Sequence, residues 1–300
     1  MIYTQTKLKK WIDPNKLIYS QLSINPNAIS LLKENLEKIN WNMLCVNSNI
    51  NAIKLLIENK NKIIWSYLSA NENAIELLKE HQDKICWNML ARNINALELL
   101  KENPEKINWN ILLTNKNAIE LLIINQNNIL DWSFLSENPN AINFLKNNKD
   151  KINWYYLSLN PNAISLLKEN PEKINWYNLS ANPNAIELLQ NNMNKIDWCM
   201  LSFNKNAIEI LKNNKDKITW NYLSANPNAI DLLEENQDKI NWYYLSQNPN
   251  IFTYDYELIK NNFKLLGEEI IIKSLHPKRM LRLMELYGEE EIYRCYFDEY

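Results

Sequence analysis

Glycine is almost absent from this chain, which contains 2 glycines among its 300 residues. Phosphate-binding loops and dinucleotide-binding folds need glycine wherever the backbone must approach a ligand closely. Gly267 and Gly288 lie far apart in the sequence and cannot build either kind of loop. The composition therefore argues against a nucleotide-binding enzyme of these classes.

Cysteine and histidine are also scarce, and their positions predict neither a disulfide framework nor a metal site. The cysteines occur singly, without a CxxC pair, which is typical of reduced, packed thiols in a cytoplasmic protein. His81 and His276 are distant in sequence and lack a set of partner ligands, so we expect no metal and no cofactor. The four cysteines are Cys45, Cys86, Cys199 and Cys295.

Two further features are missing, a basic excess and a long apolar run. The chain has 33 Lys and Arg against 35 Asp and Glu, whereas proteins that bind by neutralising phosphates are usually strongly basic. No segment approaches the roughly 18 consecutive apolar residues of a membrane span. The hydrophobic content of 46 % is ample for a core, so we expect a soluble protein of the cytoplasm that does not enter a membrane.

Tryptophan, in contrast, recurs at regular intervals. From Trp132 onward the interval is 22 residues; before it, one interval gains two residues in the turn Asn47–Asn51 and another gains one near Asn128. Counting back from Trp41 places Tyr19 in the same position of an earlier unit, which predicts about eleven repeats. The repeated residues are Trp41, Trp65, Trp87, Trp109, Trp132, Trp154, Trp176, Trp198, Trp220 and Trp242.

Each unit has the pattern of two short helices. Trp176 and Leu179 fall on one helical face, and the preceding residue is a good N-cap in several units, as at Asn153, Asn175, Asp197 and Thr219. An apolar stripe from Ala185 to Leu189 predicts a second helix that begins at about Pro183, because proline is tolerated in the first turn.

A unit of this length cannot bury its apolar face alone, so the sequence predicts an all-α fold, an α-solenoid of about eleven two-helix repeats. We expect an N-terminal cap over residues 1–18, the solenoid over 19–250 and a helical C-terminal cap or module over 251–300. Helix layers packed roughly 8–10 Å apart would make a superhelical rod on the order of 100 Å long.

The repeated Trp and Asn residues have structural interpretations. We expect the tryptophans to lie in the core between repeats. The paired asparagines, such as Asn25 with Asn27 and Asn182 with Asn184, could form a ligand-binding ladder, but side-chain bonding to the backbone at a turn accounts for them without a ligand. In the unit with the two-residue insertion the pair would be Asn47 and Asn51.

The unit also resembles a known group of proteins. Its pattern, Lys-Ile-Asn-Trp followed by Leu-Ser-x-Asn-Pro-Asn-Ala-Ile-x-Leu-Leu-Lys-Glu-Asn, is similar to the Trp/Asn-rich short-repeat proteins of amoeba-infecting giant viruses of the mimivirus kind. The resemblance covers nearly the whole chain, from Lys10-Trp11-Ile12-Asp13-Pro14 to the segment around His276-Pro277-Lys278-Arg279. It implies a viral origin and a non-enzymatic repeat protein, and it supplies no catalytic residues.

After Asn250 the repeat pattern stops, and we predict three helices, over 254–266, 268–275 and 277–288, the last ending at Gly288. One interpretation is a cap over the apolar face of the last repeat. The other is a recognition module with an acidic tail, Glu289 to Glu291, beside a basic patch. That patch comprises His276, Lys278, Arg279 and Arg282.

The function that these features favour is a non-enzymatic scaffold that binds another protein. The positions one and two places after the Trp vary between units and hold aromatic residues suited to interfaces. Because the first position also accepts Asn42 and Ser66, we expect its tyrosines to be exposed. The candidate contact residues are Tyr67, Phe134, Tyr155, Tyr177, Tyr222 and Tyr243.

The alternative is a helical-repeat protein that reads single-stranded RNA, with Tyr stacking on bases and Asn bonding to them. The charge balance disfavours it unless the lysines form a one-sided stripe. The sequence shows no nucleophile–base pair, so we do not expect an enzyme, and it does not predict the oligomeric state.

Overall fold

The computed structural model describes residues 6–125, 127 and 131–296. They form two compact units, of which the first, Leu8–Phe252, contains all the repeats, and the second takes in the described residues outside it. The elements are helices in short successive repeats, which confirms the all-α repeat fold, together with one small sheet that pairs strands β1 (Thr6–Leu8) and β2 (Phe252–Tyr254). The predicted insertion near Asn128 lies outside the described residues.

A short first helix opens each repeat at the Trp, or at Tyr19 in the first. The predicted N-caps are confirmed at Asn153, Asn175 and Asp197, whose side chains accept the N–H three residues on, and the one at Thr219 is wrong, since its side chain makes no cap bond. The first helices are α1 (Tyr19–Leu22), α3 (Trp41–Cys45), α5 (Trp65–Ser69), α7 (Trp87–Leu90), α9 (Trp109–Leu112), α11 (Trp132–Glu137), α13 (Trp154–Leu157), α15 (Trp176–Ala181), α17 (Trp198–Phe203), α19 (Trp220–Ala225) and α21 (Trp242–Gln247).

A second helix follows the Asn-x-Asn turn in the first ten repeats, whereas in the eleventh the turn leads into strand β2. The second helix begins later than predicted, at Ile186 instead of about Pro183, because Pro183 and Asn184 form the turn. The second helices are α2 (Ile29–Lys33), α4 (Ile50–Glu58), α6 (Ile75–Glu80), α8 (Leu97–Glu102), α10 (Ile119–Ile124), α12 (Ile142–Lys146), α14 (Ile164–Lys168), α16 (Ile186–Gln190), α18 (Ile208–Lys212) and α20 (Ile230–Glu234).

A 3-10 helix, not predicted from the sequence, leads from one repeat to the next and ends at the Lys of Lys-Ile-x-Trp. Such helices span Pro14–Lys16, Leu36–Lys38, Lys60–Lys62, Gln82–Lys84, Pro104–Lys106, Lys149–Lys151, Pro171–Lys173, Met193–Lys195, Lys215–Lys217 and Gln237–Lys239. Three further 3-10 helices lie in Asn-Pro-Asn turns, at Pro139–Ala141, Pro227–Ala229 and Pro249–Ile251.

The core runs between the two helix layers, and leucine and alanine supply most of it. The Leu three places after the Trp is fully buried in every repeat, as Leu179 illustrates, and the Ala before the second helix is equally buried, as at Ala185. The tryptophans are partly buried and pack against this core from its edge. The prediction that they lie in the core is therefore correct only for part of each ring system.

The first and last repeats of the solenoid pack against each other, so the prediction of a superhelical rod is wrong. Helix α21 of the last repeat packs against α1 of the first. The Ile18 N–H donates to Ser246 Oγ at 2.9 Å, and the Lys9 N–H donates to the Ile251 carbonyl at 2.9 Å. Residues 8–252 thus form a closed ring of eleven first helices. The face of α21 that an open solenoid would expose is covered by α1, and the repeats require no separate cap there.

The two-residue insertion lengthens a helix and leaves the turn pattern intact. Asn49, and not Asn51 as predicted, takes the second Asn position, since its Nδ2 donates to the Pro26 carbonyl at 2.6 Å. The extra residues extend the start of α4, which runs over nine residues from Ile50 to Glu58.

Beyond the ring lie α22 (Tyr256–Ser274), α23 (Pro277–Tyr287) and α24 (Glu289–Tyr296). The first of these is continuous through Gly267, so the predicted division into two helices is wrong: Gly267 lies in mid-helix, where a single glycine weakens a helix without ending it. The predicted end at Gly288 is confirmed by its φ of 91°, which favours glycine.

Candidate partner-binding surface

The asparagines at the turns hold the repeats together. In each repeat Nδ2 of the first Asn of the pair donates to backbone carbonyls of the preceding repeat, and Oδ1 accepts the N–H two residues on. For Asn182 these are the Ser158 carbonyl at 3.0 Å, the Asn160 carbonyl at 2.9 Å and the Asn184 N–H at 3.0 Å. Asn182 is fully buried. The structural interpretation of the asparagines is confirmed, and their bonds reach between repeats as well as within one turn.

The Ser that follows the buried Leu makes a second link between repeats. Ser180 Oγ donates to the Trp176 carbonyl at 2.8 Å and accepts the Asp197 N–H at 3.0 Å, 17 residues later. Cys45 takes the same place in the second repeat, where its Sγ accepts the Ile64 N–H at 3.4 Å and burial raises the pKa of the thiol. These polar groups form bonds inside the fold. The variable surface is therefore the side of the first helices that faces away from the core.

The first helices carry almost no charge. From the Trp to the residue five places later, the eleven units contain two charged residues, Arg92 and Glu137. The second and 3-10 helices, in contrast, hold Lys, Glu or Asp in each repeat, as in the Pro171–Lys173 helix. The molecule therefore has one nearly uncharged helix layer and one charged layer.

All six candidate residues of the first helices are exposed. Tyr155, Tyr177 and Tyr243, one place after the Trp, expose 47 %, 48 % and 48 % of their surface, which confirms the prediction for this position. The candidates two places after the Trp, Tyr67, Phe134 and Tyr222, are exposed as well, although somewhat less. We call these six residues, with the exposed Phe203 described below, the aromatic surface.

Neighbouring aromatic residues on this layer contact one another. The ring centroids of Phe134 and Tyr156 lie 6.2 Å apart, and those of Tyr222 and Tyr244 lie 6.3 Å apart, each pair joining equivalent positions of adjacent repeats. Tyr156 also meets Tyr155 edge-on at 5.2 Å. The same arrangement, with Tyr243 against Tyr244 at 5.4 Å, recurs four repeats later.

These distances indicate that the aromatic surface faces the inside of the ring. Packed helix axes are about 8–10 Å apart, so rings 6.2 Å apart at equivalent positions lie closer together than their helices, as expected for side chains that converge towards the centre. Most adjacent first helices also pack side by side, whereas adjacent second helices touch far less, as expected for an inner and an outer layer.

Phe203, which was not predicted from the sequence as a contact residue, is 55 % exposed at the end of α17. It lies four residues after Cys199 and so shares the helical face of the tyrosines that follow the Trp in other repeats. With Phe203 the aromatic surface runs through every repeat from α11 to α21. The i, i+4 spacing from the variable position was the signal that could have identified it.

The side chains around Tyr222 come from neighbouring repeats. Electrostatic repulsion from the Cys199 and Tyr244 side chains, together with desolvation and the Tyr177 side chain, raises the pKa of Tyr222 above its ordinary value. Tyr177, Cys199, Tyr222 and Tyr244 belong to four successive repeats. Cys45, Cys86 and Cys199 are free thiols, and the side chain of Cys295 lies outside the described residues.

The C-terminal candidate residues lie at or near the N-terminus of one helix, α23. His276 is the N-cap of α23, where its Nδ1 accepts the Lys278 N–H at 3.3 Å, so this side chain has a structural role. Lys278, Arg279 and Arg282 are exposed. The predicted acidic tail, Glu289 to Glu291, is instead the first turn of α24, where carboxylates stabilise a helix N-terminus.

Within residues 6–125, 127 and 131–296, no helix is long and apolar enough to cross a membrane, and no three metal-ligating side chains lie together. Comparisons with protein families, with curated proteins and with solved structures find no match.

Proposed function

We propose that this protein is a non-enzymatic scaffold that binds a protein partner through the aromatic surface of its ring. The observation that carries the proposal is the row of exposed aromatic side chains on an almost uncharged helix layer. Exposed aromatic residues on rigid helices are the residues that most often anchor protein interfaces, while charged residues are depleted from the centre of such interfaces.

The location of these residues supports a binding role over a structural one. Equivalent positions in the repeats before α11 hold Asn42, Asn88 and Asn110, which are exposed too, and the ring closes without aromatic side chains there. Tyrosine at this position is therefore not needed for folding. The resemblance to giant-virus repeat proteins makes the cytoplasm of an infected amoeba the setting that we propose.

The test compares two triple variants in affinity capture from infected amoebae, read by mass spectrometry with and without ribonuclease. Tyr155→Ser/Tyr177→Ser/Tyr243→Ser should keep its thermal stability and lose the protein partner, with about 2 kcal/mol for each true anchor. Leu36→Ser/Ile57→Ser/Met193→Ser removes three exposed apolar residues from the second and 3-10 helices and should keep the partner. Equal capture by both variants would refute the proposal.

Single-stranded RNA is the second candidate, because the lysines of the repeats do form a row. Nine of them place Nζ 4.4–5.2 Å from the aromatic ring that opens the same repeat, from Lys16, which completes the last repeat, over Trp242 to Lys239 over Trp220. Seven of the nine directly follow Asp or Glu, however, which offsets their charge. Binding that ribonuclease abolishes and that falls steeply with salt would favour RNA.

A further inference from the structure

The partner must enter the ring if it is to reach the aromatic surface, and this restricts its shape. Resting on the proposed function, we propose that the bound partner segment is a single α-helix with one apolar face, threaded through the opening of the ring.

The expected opening is wide enough for one helix. If all eleven steps had the 6.2 Å spacing of Phe134 and Tyr156, the side-chain rings would lie about 11 Å from the centre, compared with about 16 Å for helix axes packed about 9 Å apart. Allowing about 3.5 Å for contact on each side leaves about 15 Å for an occupant. A helix with its side chains is about 10–12 Å across, whereas an extended strand would touch only one side.

The inner surface is divided into two arcs of different polarity. From α11 to α21 it exposes the aromatic residues Phe134, Tyr155, Tyr177, Tyr222 and Tyr243. From α3 to α9 the residue after the Trp is Asn42, Ser66, Asn88 or Asn110, each exposed, although Tyr67 on α5 is an exposed aromatic residue within this arc. An amphipathic helix presents the same division, with an apolar face for the aromatic arc and a polar face for the amide arc.

The charge of the opening selects against a polyanion. Two charged residues, Arg92 and Glu137, occur in the first-helix segments, and they have opposite signs. A nucleic-acid strand inside would give up hydration of its phosphates without basic side chains on the first helices to replace it. A helix whose polar face is rich in Ser, Gln and Asn loses little on entry, because Asn and Ser side chains can bond to it.

The probe is a displayed library of 20-residue amphipathic helices with a Ser/Gln polar face and a randomised apolar face. Synthetic peptides from the selection are measured by fluorescence anisotropy. We expect affinity to fall at least 10-fold for Tyr155→Ser/Tyr177→Ser/Tyr243→Ser and to be unchanged for Leu36→Ser/Ile57→Ser/Met193→Ser. A library that yields no peptide with this dependence, or a selected peptide displaced by oligouridylate, would overturn the proposal.

Threading is tested by closing the ring covalently. Gln247 Nε2 donates to Gln21 Oε1 across the junction, so Gln21→Cys/Gln247→Cys, with the four native cysteines changed to Ser, can be joined by a short thiol-reactive cross-linker. A peptide carrying a folded domain at both ends should bind the cross-linked ring at least 100-fold more slowly than the same peptide with one domain. Before cross-linking, the binding rates of the two peptides should differ less, because the ring can open at the junction of α1 and α21.

Equal binding of both peptides to the cross-linked ring would place the contact outside the opening and refute threading. The proposed function would then still stand if the natural partner depends on the three tyrosines. If neither the peptides nor the partner depends on them, both proposals fail.

Discussion

The junction that closes the ring and a junction inside the array are built from the same contacts. At the closing junction Asn25 Nδ2 donates to the carbonyls of Ser246 at 3.0 Å and Asn248 at 2.9 Å, as Asn182 does to the preceding repeat. The chain separation, however, is 221 residues at Asn25 and 24 residues at Asn182. The interface therefore depends on residue identity and not on chain connection.

The N-terminal segment completes the last repeat in the same way. Its 3-10 helix, Pro14–Lys16, takes the place that Met193–Lys195 has inside the array, and Lys16 lies over Trp242 as Lys195 lies over Trp176. Ring closure thus supplies, from the start of the chain, the 3-10 helix that the eleventh repeat lacks at its end.

The largest loss of stability is expected when an asparagine that links two repeats inside the array is replaced. Asn182→Ala removes two donated bonds and one accepted bond. The Asn160 carbonyl keeps its bond from the Ala163 N–H, whereas the Ser158 carbonyl and the Asn184 N–H lose the bonds that Asn182 makes. At about 1–3 kcal/mol for each unsatisfied group, the expected loss of stability is about 3–5 kcal/mol in total. Urea denaturation measures it. Asn184→Ala, which loses one bond from a more exposed amide to the Pro161 carbonyl, is the control and should cost about 1 kcal/mol. Equal losses of stability in the two variants would contradict the larger role of the buried Asn182 bonds.

Removal of a repeat tryptophan should come next. Trp176→Ala should cost about 2–4 kcal/mol, somewhat less than a fully buried Trp, because this ring is only partly buried. The covering lysine adds about 0.5–1 kcal/mol, so Lys195→Gln and Lys16→Gln should each cost that amount at an inner and at the closing junction. A loss below about 0.5 kcal/mol for Trp176→Ala would show that this Trp does not contribute to the core.

Asn25→Ala removes the same bonds at the closing junction, yet its effect on global stability should be smaller, about 1–2 kcal/mol, since the chain can respond by separating α1 from α21. Spin labels at Gln21 and Gln247 should report a short distance in the parent and a broad, longer distribution in the variant. A short distance in both would mean that the closing junction survives without the Asn25 bonds.

The smallest expected effect is an increase in stability. Ala91 stands where other repeats have Ser, so no hydroxyl at that place accepts the Asn108 N–H, whereas the closing junction keeps Ser246 there. Ala91→Ser should stabilise the ring by about 0.5–1.5 kcal/mol if the buried site admits the oxygen. Thermal unfolding would show a raised midpoint; a lowered one would mean that the site has no room.

Much of the fold could be predicted because the same residues recur at the same spacing. The Trp positions predict the repeats, and the tolerance for Asn and Ser beside the Trp predicts the exposure of Tyr155 and Tyr177. The 3-10 helices were not predicted, because three residues are too few to show periodicity. Neither was the inward direction of the aromatic surface, since curvature is the sum of small rotations between repeats.

Ring closure did leave a trace in the sequence. In an open array Asn25 would have no preceding repeat to receive its amide bonds, and an end repeat usually exchanges such residues for a polar surface. The first repeat nevertheless keeps Ser23, Asn25 and Asn27, and the last keeps Ser246 and Asn248. Intact interface residues in both terminal repeats were the signal for closure.

Because α1 packs against α21, every repeat of the ring has a neighbour on each side. Linear repeat arrays fray from their ends, where unfolding one repeat breaks a single interface. In this ring the first repeat to unfold must break two interfaces, so fraying has no starting point. Hydrogen exchange should therefore be slow in α1 and α21, to the same degree as in first helices from the middle of the chain.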